Sequence, residues 1–121
     1  MRHPNGNSII LELIKGSKKS EQPIVLFFTA EWSGATWIME SNLNYTCERL
    51  NPLAECIWLD FDENQGLAQE LNVHEIPTMI LVKAGEVLGH VSGILPRFQL
   101  IQLIAQWLNL PPEHELLRTT I

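Results

Sequence analysis

Five apolar residues in a row, Ile24-Val25-Leu26-Phe27-Phe28, sit between Gln22-Pro23 and Thr29. A strand with one wet face alternates apolar and polar residues, so an unbroken run of β-branched and aromatic side chains predicts a strand buried on both faces. Such a strand needs a covering layer on each side. In a chain of 121 residues, long enough for one well-formed core and not two, helices are the natural cover.

The rest of the sequence supplies those helices. Residues 8–16 read as a short helix with Ser8 as N-cap and Gly16 as stop. Residues 34–50 have helical length, and Pro52 limits any continuation. Residues 54–61 (AECIWLDF) return to a strand pattern, and residues 64–72 suit a short helix capped by Asn64. Two short strands, residues 78–83 and 86–92, flank the tight-turn pair Ala84-Gly85. Pro96 opens a last helix, where a missing N–H costs nothing. It should run to about Asn109, with Phe98, Ile101, Ala105 and Leu108 on its apolar stripe. Pro111-Pro112 ends it, and residues 111–121 read as an undocked tail after a domain spanning 1–110. The order α-β-α-β-α-β-β-α predicts an α/β fold with a mixed central β-sheet flanked by helices.

Composition narrows the function. Apolar residues at 45% and charged residues at 18% are ordinary for a soluble globular protein. A net charge of −6 with eight basic residues argues against nucleic acid, whose phosphates require a Lys/Arg surface. The cluster Lys15, Lys18 and Lys19 is read as solvating a helix end. No stretch reaches the roughly 20 apolar residues of a membrane span, and the first residues have neither the apolar run nor the cleavage site of a secretory signal. Cytoplasmic localisation is therefore expected. Cys47 and Cys56, nine positions apart, match no metal or redox spacing and are read as core thiols. The histidines are scattered, and Asp60, Asp62 and Glu63 read as a solvated acidic strand end, so no metal and no cofactor are expected.

Three local patterns resemble the thioredoxin superfamily. Ile24 to Trp32 is similar to the family's buried strand running into an alanine-x-tryptophan turn. Leu59-Asp60-Phe61-Asp62-Glu63-Asn64 resembles the strand that ends in aspartate-x-asparagine, and Ile76-Pro77-Thr78 resembles the isoleucine-proline-threonine segment. Lys83-Ala84-Gly85-Glu86 fits the family hairpin, and Gly93 falls where the family has a glycine bordering its substrate groove. The resemblance covers residues 8–110. It implies the thioredoxin fold, a cis Ile76–Pro77 bond, and an Ile76 backbone free to pair with an extended peptide.

The resemblance also makes a departure visible. The family places Cys-x-x-Cys after that tryptophan, and this chain reads Trp32-Ser33-Gly34-Ala35-Thr36. A thiolate attacks disulfides because a helix N-terminus lowers its pKa, and a serine hydroxyl has no comparable anion. The family's buried acid aligns with Phe27 and its lysine partner with Trp58. No catalytic residue for dithiol exchange is therefore expected at this site. Trp37 adds an apolar side chain where the family carries a polar one. Trp32, Ser33, Gly34, Ala35, Trp37, Glu75, Ile76, Pro77 and Gly93 are the expected binding residues, for a protein or extended-peptide partner. Three other readings stay open at this level: Trp37 folding back over its own loop, a glutathione-type site at Ser33 or redox chemistry at Cys47, and a homo-oligomer built through the apolar patch.

Overall fold

The computed structural model describes residues 22–118. The expected helix over residues 8–16 and the lysine cluster lie outside the described residues. Within them run β1 (Ile24–Thr29), α1 (Gly34–Leu50), β2 (Glu55–Asp60), α2 (Gln65–Glu70), β3 (Thr78–Lys83), β4 (Glu86–Ser92) and α3 (Arg97–Trp107), then a 3-10 turn, Glu115–Leu117. The sheet order is β2-β1-β3-β4, with β1 and β2 parallel and the other two pairings antiparallel.

All six residues of β1 are buried, and its alternation splits the interior in two. Val25 and Phe27 point into one cluster with Met39 and Leu43 of α1, Met79 and Leu81 of β3, and Leu100, Ile101 and Ile104 of α3. Ile24, Leu26 and Phe28 point the other way, against Ile57, Leu59, Ile80 and Val82 and beneath Leu67 and Ala68 of α2. Each fully buried side chain of this size contributes roughly 1.5–3 kcal/mol relative to exposure. The unbroken apolar run thus serves two cores at once.

The hairpin turns on Ala84 (φ 52°) and Gly85 (φ 79°). Two consecutive positive φ values suit the twist of a two-residue hairpin. Its register slips between Leu81 and Val82, a bulge that leaves Leu88 without a cross-strand partner. Trp107 covers Gly89 on β4: a Cβ there would lie 1.9 Å from the indole, so only glycine allows the ring to seat.

Two expectations are corrected. The buried stripe of α3 is Leu100, Ile101, Ile104 and Ala105, and Phe98 is 50% exposed. A stripe drawn from Phe98 sits too far round the helix, because the sheet meets the face centred on Ile101 and Ile104. The segment after α3 is not an undocked tail. Leu116 is 4% exposed in the first core cluster, and Arg49 Nη2 of α1 donates to the carbonyls of Leu116 at 2.7 Å and Arg118 at 2.8 Å. The acidic residues that suggested solvation flank an apolar anchor, and the freed carbonyls of the turn supply acceptors for the guanidinium. Among the described residues, no helix is long and apolar enough to cross a membrane.

Candidate functional site at the carboxyl end of β1

Strand direction brings the candidate residues together. Parallel pairing sets Thr29 opposite Asp60, and Phe61 N–H continues the ladder to the Thr29 carbonyl at 2.8 Å. Antiparallel pairing sets Phe28 opposite Thr78, and Thr78 opposite Ser92. The turn after β1, the end of β2, the Ile76–Pro77 segment before β3 and Gly93 after β4 therefore share one end of the sheet. Ligand sites of open α/β sheets favour the carboxyl ends of their parallel strands.

The turn from β1 into α1 is closed by short-range bonds. Ser33 N–H donates to the Ala30 carbonyl at 3.1 Å, and Ala30 N–H donates to Thr36 Oγ1 at 3.2 Å. Ser33 is the N-cap of α1, its Oγ accepting from Thr36 N–H at 3.3 Å. It is only 7% exposed. Its extended backbone (φ −91°, ψ 116°) is the conformation such caps adopt. Gly34 is exposed, with open space where a Cβ would stand, and Ala35 is half-buried.

The two tryptophans stand out from this turn at 64% (Trp32) and 62% (Trp37) exposed. Each is nonetheless tethered. Trp32 Nε1–H donates to Asp62 Oδ2 at 2.7 Å, and its ring meets Phe61 edge-on at 6.4 Å. Trp37 Nε1–H donates to the Glu31 carbonyl at 2.8 Å, so it does fold back toward its own loop while leaving most of the ring in solvent. Asp62, expected to be merely solvated, orients Trp32. Two exposed apolar residues escaped the sequence reading: Ile38 (63%), next to Trp37 on α1, and Ile94 (53%), next to Gly93. Leu95 N–H donates to Met39 Sδ and Asn42 Nδ2 donates to the Leu95 carbonyl, which brings these two neighbourhoods together. A run of apolar residues beyond the last strand was the available signal.

On the opposite side, the Ile76–Pro77 bond is cis. Pro77 is buried, Ile76 is half-buried and Glu75 is exposed. The Glu75 carbonyl accepts from the Thr78 hydroxyl, and the Pro77 carbonyl accepts from Gly93 N–H at 2.9 Å. Gly93 has φ 93°, a conformation that favours glycine. Between these tied residues, the N–H and C=O of Ile76 have no hydrogen-bond partner among the described residues.

Neither cysteine lies here. Cys47 is near the end of α1 and Cys56 is in β2, and both are half-buried rather than core. Phe27 and Trp58, at the positions compared above with the family's acid and lysine, are register partners whose rings lie 5.3 Å apart. Among the described residues, no group of three or more His, Cys, Asp or Glu side chains could hold a metal ion.

The family is decided by how much of the chain the match covers: residues 13–106 match Thioredoxin. The chain belongs to the thioredoxin family. It is 31% identical over 87 residues to the Thioredoxin of Haemophilus influenzae, covering 72% of this chain and 81% of that protein. It is 30% identical over 87 residues to Thioredoxin Y2, chloroplastic, of Arabidopsis thaliana, but spans only 52% of that relative's length. Thioredoxin NaTrxh from Nicotiana alata superposes with a TM-score of 0.76 at 25% identity, over 88% of this chain and 96% of that one. Fasciola hepatica thioredoxin, also at 0.76 and 24% identical, covers 88% and 98% and supports the fold alone.

Proposed function

We propose that this thioredoxin-family domain binds an extended segment of a partner protein at the carboxyl end of β1, and that it does not exchange disulfides there. The observation that carries the reading is the backbone of Ile76, a half-buried residue whose N–H and C=O have no partner among the described residues, at a sheet end that also bears Trp32 and Trp37. An extended peptide can supply both bonds to the Ile76 N–H and C=O in the manner of strand addition. Tethered, exposed tryptophans suit the anchoring role, because a large rigid ring buries much area at little entropic cost.

The chemistry supports the negative half. The sequence from Trp32 to Thr36 contains no thiol, and Ser33 Oγ is spent on capping α1. That cap also disfavours a glutathione-type site at Ser33, since its oxygen already accepts a bond and the residue is buried. The aromatic pair Phe27 and Trp58 offers no proton acceptor where the family's acid and lysine are expected. A cytoplasmic setting belongs to the same proposal, and fractionation of the source cells tests it.

The experiment is binding of a panel of extended peptides, in reducing buffer, to the wild type and to Trp37→Glu. Capture by the wild type and loss in the variant, with the fold retained, is the expected result. Equal affinity for both would remove Trp37 from the site. Sedimentation of the same two proteins separates this reading from a homodimer: a wild-type dimer that dissociates on substitution would assign the surface to a second copy.

A further inference from the structure

The sheet end that bears Trp32 and Trp37 is also rimmed by acids. Glu31 precedes Trp32 and is exposed, and its carbonyl accepts the Trp37 indole N–H at 2.8 Å. Asp62 accepts the Trp32 indole N–H at 2.7 Å, and Glu63 beside it is exposed. On the other side of the site, Glu75 is exposed and immediately precedes Ile76. Carboxylates thus stand on three connections around the exposed rings: the turn after β1, the turn after β2 and the loop before β3.

The basic side chains lie elsewhere. Among the described residues they are Arg49, Lys83, Arg97 and Arg118. Lys83 ends β3 beside Val82, which pairs with Ile24 at the start of β1, so it is at the opposite end of the sheet. Arg49 is near the end of α1, from which the chain returns to pair Glu55 with Ile24. Its Nη2 donates to the Arg118 carbonyl at 2.8 Å, which places both arginines at that far end. Arg97 opens α3 but lies along α1, its guanidinium 4.4 Å from the centre of the Tyr45 ring and its Nε donating to Asn42 Oδ1 at 3.4 Å. Asn42 and Tyr45 follow Trp37 by about 7 and 12 Å along the helix axis. His74, exposed beside Glu75, is the one imidazole on these connections among the described residues.

We propose that the segment this site takes is basic: an extended stretch in which Lys or Arg flanks the apolar side chain laid against Trp32 and Trp37. The inference rests on the peptide-binding reading and adds to it the charge of the partner. Strand pairing with Ile76 uses backbone groups alone, so the choice of partner falls to the side chains around it. Neighbouring side chains of an extended chain point in opposite directions, which leaves the residues beside the apolar anchor free to reach the rim. A basic segment meets complementary charge on both sides, at Glu31 and Asp62 on one and at Glu75 on the other. An acidic segment meets like charge there, with no described Lys or Arg at hand to offset it. Each such pair is solvated and weak alone. Several together steer encounter and discriminate between partners.

The test makes the panel of extended peptides in three versions, with Lys, Gln or Glu flanking one apolar residue. Affinity for the full chain is measured in reducing buffer at about pH 8, where an ordinary imidazole is neutral. The Lys version should bind about tenfold tighter than the Gln version at low salt, and the Glu version more weakly than either. Roughly 0.5 M salt should bring the Lys and Gln versions together. Glu31→Gln with Glu75→Gln should cut the Lys-over-Gln ratio to about twofold. Glu55→Gln with Glu115→Gln removes as many charges at the far end and should leave the ratio unchanged. Equal affinity for the three versions, or a preference for Glu, would overturn this inference and leave the peptide-binding reading standing. An equal fall of the ratio in both double variants would do the same, since it would trace the preference to net charge. No binding by any version would overturn both. The comparison of versions on the wild type stands even if a variant fails to fold.

Discussion

Trp32 Nε1 donates to Asp62 Oδ2 at 2.7 Å across 30 positions of sequence, joining the turn after β1 to the end of β2. The bond fixes one edge of an indole whose face remains in solvent. An anchor for a partner needs that combination of fixed orientation and exposed area.

Trp32→Phe keeps the ring beside Phe61 and deletes the donor. At this exposed site the loss should be about 1 kcal/mol or less, read as a small fall in the urea midpoint. Asp62→Ala should cost a similar amount, and the double variant little more than either single one. Additive losses in that cycle would show that the two residues are not coupled.

The segment after α3 should behave as part of the domain. Leu116→Ala leaves a hole beside Leu100 and Ile101 and should cost about 2–4 kcal/mol in urea unfolding. Deleting the residues after Leu110 should cost at least as much, because Arg49 then loses its carbonyl partners as well. Unchanged midpoints for both would restore the undocked tail.

Cys47 should be alkylated faster than Cys56 and should keep its reactivity below the ordinary thiol range, near pH 8.5. A lowered pKa preserves thiolate as pH falls, so the half-maximal rate shifts to lower pH. Trp58→Phe retains the stack on Phe27 and removes one donor, which should move that midpoint upward. An unmoved midpoint would exclude the indole N–H as a cause.

Ser33→Cys with Thr36→Cys installs a dithiol at the head of α1. The double variant should reduce insulin disulfides about a hundredfold more slowly than the Haemophilus influenzae relative, because Phe27 and Trp58 offer no proton acceptor. Equal rates would mean that the aromatic pair is no obstacle.

The sequence was most legible where backbone chemistry is local. The apolar run of β1, the turn at Ala84-Gly85 and Pro96 at the start of α3 each act through their own φ, ψ or missing donor, and each element lies where its residues predict. Asn64 was legible in place but not in role: it precedes α2 without a side-chain cap bond and donates instead to the Asp60 carbonyl at 2.8 Å. Relations across the fold were hidden. Phe98 looked apolar enough to be buried, yet which stripe of α3 meets the sheet depends on the docking angle.

The thiol pair shows the same limit at the site level. A spacing of nine positions fits no motif when counted along the chain, whereas the α1–β2 reversal packs both residues against the same core cluster. Asp62 was read from its charge alone. Its partner, Trp32, lies on a different connection and is brought near only by the parallel pairing of β1 with β2.

The most direct measurement is the amide spectrum of the isotopically labelled chain, titrated under reducing conditions with a peptide from the panel that it binds. The expected result is a large, saturable shift of the Ile76 amide, with smaller shifts at Gly93 and the Trp32 and Trp37 indoles, all lost in Trp37→Glu. Saturable binding that leaves Ile76 unmoved, or that shifts it equally in Trp37→Glu, would contradict strand addition at the carboxyl end of β1.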